Sequence, residues 1–97
     1  MENKFITTIP LSPIPVRVTY EIVNKLIMFK DKYLNQNEKV KIYRKSDDSL
    51  ILGLLIKCKT HYAIDIDTEI PVEFEIKKDN GEIETIIFND IVFEKVN

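Results

Sequence analysis

Ninety-seven residues with a hydrophobic fraction of 44% make one globular domain and argue against a disordered chain. The lone Cys58 excludes an internal disulfide and a cysteine-based zinc site, and the aliphatic run 50–56, interrupted by Gly53, is too short to span a bilayer. The net charge of −2 hides an asymmetry: residues 1–45 carry nine Lys/Arg against four Asp/Glu, net +5, and residues 46–97 carry five against twelve, net −7.

The chain reads as three parts in one domain: an extended Pro-rich arm (1–18), a helix (19–34) and an antiparallel β module (39–97). Pro10, Pro13 and Pro15 fall within six positions, each fixing its own φ and pushing its predecessor toward extended geometry. Phe5, Ile6, Ile9, Leu11, Ile14 and Val16 are too apolar for a free tail, so the arm is expected to lie along the domain or a partner. Thr19 is a capping residue and Glu21 suits the positive end of the helix dipole. Ile22, Val23, Leu26, Ile27, Phe29, Tyr33 and Leu34 follow helical spacing, and Asn35-Gln36-Asn37 ends the helix. A domain this small buries a modest core, so the helix is expected to cover an open end of the sheet.

From residue 39 the period changes to two. Val40 and Ile42 alternate with Lys39, Lys41 and Tyr43, and Ser46 to Ser49 is a polar turn. Leu50 to Ile56 is apolar on both faces, with Leu50, Leu52, Leu54, Ile56 and Cys58 taken as the inward series and Gly53 as a bulge or bend. Lys59-Thr60-His61 is read as a turn, Tyr62, Ile64 and Ile66 as a strand, and Thr68 to Pro71 as a break. Val72, Phe74 and Ile76 form the next strand. Asp79-Asn80-Gly81 is a hairpin signal, Ile83 to Phe88 returns, and Ile91 to Val96 closes the module. The expected fold is α+β: one N-terminal helix packed on a small curved antiparallel sheet, or an SH3/Sm-like barrel, of five to six strands.

The order of helix, bent strand pair, hairpin and closing turn-strand, carried by residues 39–43, 52–54, 62–66 and Ile87-Phe88-Asn89-Asp90-Ile91, resembles the small Sm-like or SH3-like barrels of bacterial regulators, the YolD-like family among them. The match covers residues 39–97. The extra acidic hairpin and the Pro-rich start depart from it. The resemblance implies regulatory or interaction work without catalysis.

Candidate chemistry is sparse. Cys58 and His61 stand three apart, with Asp65 as the third member of a nucleophilic set, but Cys58 reads better as a core residue and His61 as a turn residue. Asp65, Asp67 and Glu69 would share one face of a strand, where spacings of about 7 Å do not converge on one cation. A solvated face is the simpler reading, so no metal or cofactor is expected. Glu73, Glu75, Glu82 and Glu84 lie on the two arms of a hairpin. If the register faces them, their repulsion is relieved by a partner with a basic surface, and this acidic ribbon, or the apolar edge of the helix where Met28 and Phe29 widen the stripe, is the expected protein-binding site. The alternative is nucleic-acid contact through Lys39, Lys41, Tyr43, Arg44 and Lys45, against which the sequence pI of about 5.4 counts.

The leading expectation is thus a non-catalytic, cytoplasmic protein-binding module acting by stoichiometric interaction, as a small phage-type inhibitor or regulator of a nucleic-acid-handling enzyme does. Self-association is a further alternative, and no membrane partner is expected.

Overall fold

The computed structural model describes residues 4–11 and 14–93. The expected arm is extended but folds on itself. Strands β1 (Phe5–Ile9) and β2 (Val16–Thr19) pair antiparallel as a separate two-stranded sheet, with Ile6 as an extra residue between Phe5↔Thr19 and Thr7↔Val18. Pro10 and Pro15 lie just outside the ladder, where a missing N–H costs no strand bond. Pro13 lies outside the described residues.

Helix α1 (Tyr20–Tyr33) begins where the sequence places it. Thr19 is the N-cap, its hydroxyl accepting from the Ile22 N–H at 3.3 Å, while Glu21 occupies the first turn and Lys30 and Lys32 the last. The Leu34 N–H donates to Lys30, Asn35 turns left-handed at φ +57°, and its N–H donates to the Leu55 carbonyl at 3.1 Å. Val23, Leu26 and Phe29 are the buried stripe. The Phe29 ring meets Phe74 edge-on at 5.2 Å and Phe93 at 5.0 Å, a geometry that aromatic quadrupoles favour.

Five strands follow: β3 (Val40–Arg44), β4 (Leu50–Ala63), β5 (Thr68–Lys78), β6 (Ile83–Ile87) and β7 (Ile91–Val92), in the antiparallel order β6-β5-β4-β3-β7. A 3₁₀ turn, Phe88–Asp90, joins β6 to β7. The fold is therefore α+β, with one helix, a five-stranded antiparallel sheet and a two-stranded sheet. The barrel alternative is not realised: among the described residues no ladder joins β6 to β7, and the sheet stays open. It is nevertheless curled. Arg44 on β3 and Glu84 on β6 are three strand steps apart, about 14 Å on a flat sheet, yet their side chains meet at 2.8 Å.

Several local expectations change. Residues 59–61 do not turn; β4 runs unbroken for fourteen residues. Ile64 and Ile66 belong to a 3₁₀ turn, Ile64–Ile66, rather than to a strand, and Ile64 is 83% exposed. Nor do residues 68–71 break the chain: β5 passes through Pro71, which is buried at a register shift where the ladder jumps from Lys59↔Glu73 to Thr60↔Pro71. A bulge tolerates proline because a ladder bond is already missing there. The inward series of β4 has the opposite phase to the one expected. Ile51 and Leu55 are buried, whereas Leu50 and Leu52 are 50% and 41% exposed. Gly53 is not the bulge. It sits where β4 and β5 approach closely, and an added Cβ would lie 2.3 Å from the Lys77 carbonyl oxygen. The bulge comes at Ile56, between Leu55↔Ile76 and Lys57↔Glu75, and it turns Cys58 back toward the core opposite Phe74. Val96, at the end of the expected closing strand, lies outside the described residues.

Candidate functional site

The turn at Asp79-Asn80-Gly81 decides the fate of the acidic ribbon. It forms as expected, but with three residues in the loop rather than two. The Lys78 N–H donates to the Glu82 carbonyl at 2.8 Å, the Gly81 N–H donates to Lys78, and Gly81 takes φ +88°. One loop residue more shifts the register by one and sends alternate side chains to opposite faces. Glu73 pairs with Ile87, Glu75 with Thr85, and Ile76 with Glu84. The four carboxylates therefore do not face one another, and the repulsion that suggested a basic partner is absent.

Three of the four carboxylates have a cation within the chain. On the outer face Glu73 and Glu75 lie opposite Lys59 and Lys57, with Nζ–carboxylate distances of 3.8 and 3.9 Å. On the inner face Glu84 pairs with Arg44 at 2.8 Å and Lys78 at 3.4 Å. Glu82 accepts from the Asn80 side chain at 2.7 Å. Arg44, only 20% exposed, also reaches Asp90 at 3.3 Å, and Asp90 in turn accepts from the Ser46 N–H and hydroxyl. This cluster spans the gap between β6 and the β3–β7 pair that the ladder leaves open.

The strand considered for nucleic acid is divided by the same geometry. Lys39 pairs with Asp79 at 2.8 Å, and Arg44 is committed to the inner cluster. Lys41 and Tyr43 point to the outer face opposite Leu52 and Leu50, and Lys45 lies just past the strand.

The other candidates separate. Cys58 is half-buried and its thiol donates to the Lys59 carbonyl at 3.6 Å. Burial pushes the thiol upward, only partly offset by the nearby Lys30 charge, which is the wrong direction for a nucleophile. His61 lies opposite Ile70 in the ladder. Asp65 accepts from the buried Thr7 hydroxyl at 2.7 Å, tying β1 to the turn at Ile64–Ile66; Asp67 accepts from Tyr62; and Glu69 accepts from Thr60. These three carboxylates sit in a turn, a left-handed corner and a strand, not on one strand face. Among the described residues no group of three His, Cys, Asp or Glu side chains is placed to hold a metal ion, and no helix is long and apolar enough to cross a membrane.

The helix edge that the sequence leaves for a partner borders a groove. It opens between α1 and the edge formed by β3, the turn Phe88–Asp90 and β7, with an approximate volume of 1270 Å³. Leu26, Phe29, Ile42, Phe88 and Ile91 line it from the core side, and Ile22 and Met28 stand on its helical lip. Met28 is 69% exposed. The signal was present in the sequence, since Met28 beside Phe29 widens the apolar stripe beyond what one packed face needs. Its opposite wall became visible only once β7 was placed beside β3. Comparison with family models, curated proteins and solved structures finds no match to this chain.

Proposed function

We propose that this chain is a non-catalytic protein-binding module that works by stoichiometric occlusion or scaffolding, in the manner of a small phage-type inhibitor or regulator of a nucleic-acid-handling enzyme. The observation that carries the reading is the groove beside α1. It combines an apolar floor with exposed apolar side chains at its lip, an arrangement that suits an inserted segment of another protein. The regulatory role rests on the sequence resemblance to Sm-like and SH3-like regulators, of which this fold keeps the element order but neither the closed barrel nor a strand at residues 64–66. The acidic hairpin is a weaker candidate surface, because three of its four carboxylates have a cation within the chain.

The test is reconstitution. A partner identified by cross-linking from the native host is purified and titrated with the chain by calorimetry. A 1:1 complex that Met28→Glu weakens by about tenfold or more, with the thermal melt unchanged, fits an apolar lip residue at an interface. A complex indifferent to Met28→Glu and to Ile22→Asp moves the binding surface elsewhere.

A further inference from the structure

The groove has a charge that fixes the kind of segment it takes. Among the described residues its lining includes Arg17, Lys25, Lys32, Lys41 and Lys45 against a single carboxylate, Asp31. This is the reverse of the whole chain, which carries more acid than base. The cations are also distributed. Lys25 and Lys32 are seven residues apart on α1, two turns along one helix face. Lys45 stands on the facing wall just beyond β3, Lys41 borders the groove with its side chain on the outer face of the sheet, and Arg17 comes from β2. Three of these five charges have a partner within the fold. Lys25 makes an exposed i,i+4 pair with Glu21, and Arg17 and Lys32 lie over the rings of Phe5 and Tyr33. None belongs to the Arg44 cluster that holds the curled sheet.

The geometry points to an acidic amphipathic segment of a partner protein as the occupant: apolar residues against Ile22 and Met28 on the lip, Asp or Glu side chains directed to Lys25 and Lys32 on α1 and to Lys45 opposite. This rests on the protein-binding reading and deepens it by naming the partner's chemistry. Complementary charge steers encounter and fixes register, and the exposed apolar side chains of the lip, Ile22 and Met28, supply the apolar contact. From Ile22 to Tyr33 the groove runs roughly 17 Å, room for about three turns of helix or five residues of extended chain. Nucleic acid fits less well. The large rings on the floor, Phe29 and Phe88, are buried in the core at 7% and 6% exposure and offer no face for a base to stack on.

The experiment is selection of a random-peptide phage library on the full-length chain, followed by titration of the selected synthetic peptides at low and high salt. Expected are binders that interleave Asp/Glu with Leu, Ile or Phe, that weaken as salt rises, and that lose about tenfold or more in affinity on Lys25→Glu with Lys45→Glu. Both substitutions lie on exposed side chains, and an unchanged circular-dichroism melt confirms the fold. Neutral or basic binders overturn the charge inference and leave the protein-binding reading standing. Acidic binders indifferent to Lys25→Glu and Lys45→Glu place the site elsewhere and overturn it too. So does a single-stranded oligonucleotide that displaces the peptides at lower concentration. Binding seen only after removal of residues 94–97 makes the chain's own end the occupant and overturns the proposal. A library that yields no binder at all defeats both readings.

Discussion

The acidic hairpin and the basic groove carry opposite charge and stand in opposite condition. In the hairpin, carboxylates that look crowded in the sequence are distributed over two faces, and Glu73, Glu75 and Glu84 each have a cation within 4 Å. In the groove, among the described residues, Arg17, Lys25, Lys32 and Lys45 gather beside one carboxylate, Asp31, and of the four only Lys25 makes an ion pair. A count of charges along the chain gives the first region more prominence than the second. Charge becomes informative about partners only after internal pairing has been subtracted, and pairing is set by register.

The comparison can be broken at its foundation, the close packing of the strands that sets the register. Gly53→Ala brings a Cβ against the Lys77 carbonyl, a backbone atom that cannot swing aside. We expect a loss of about 3 kcal/mol and a drop in Tm of more than about 10 °C by calorimetry. A melt within a degree or two of the parent would show that the strands part easily there. The two arms of the hairpin should then separate in their sensitivity. Glu84→Lys places three cations together on the inner face and should cost about 2 kcal/mol in urea unfolding, whereas Glu82→Lys should stay within about 0.5 kcal/mol. Equal effects would contradict the three-residue turn. Arg44→Met removes the charge shared by Glu84 and Asp90 but keeps much of the aliphatic stem, and about 1–2 kcal/mol is expected in the same measurement.

The smallest effect concerns Asp47. Hydrogen bonds from the Ser49 hydroxyl and N–H hold its carboxyl below the ordinary range, with the Arg44 charge acting in the same direction. A lowered carboxyl contributes stability above its ordinary range and loses it as pH falls through the lowered value. Asp47→Asn should therefore differ slightly from the parent at neutral pH and converge with it in acid. A difference that grows in acid would reverse the assignment.

Much of the fold was legible because local chemistry and tertiary placement agree. Thr19 caps, Asn35 stops, Gly81 turns, and Phe74 and Ile76 point inward as their alternation implies. Phase was not legible in β4. Residues 50–56 are aliphatic on both faces, so period two fixes no inside, and the bulge at Ile56 leaves no residue-type signature. The three prolines suggested a stiff arm because they describe φ and are silent about pairing. The groove was half legible: its helical lip follows from Ile22 and Met28, but its other wall needs β7 beside β3, a pairing between residues from opposite halves of the chain.

The long β4–β5 ladder bears on how the chain reaches this state. Its strands are neighbours in sequence, joined through the short corner at Ile64–Asp67, and their register runs from Ala63↔Thr68 out to Gly53↔Lys78. Such a hairpin closes at little entropic cost and can zip from its tip. Tyr43↔Val92 must wait for the rest of the sheet to gather. Amide hydrogens around Leu55, Phe74 and Ile76 should exchange last and those of β7 early, so the wall of the groove that faces α1 is assembled last and loosened first.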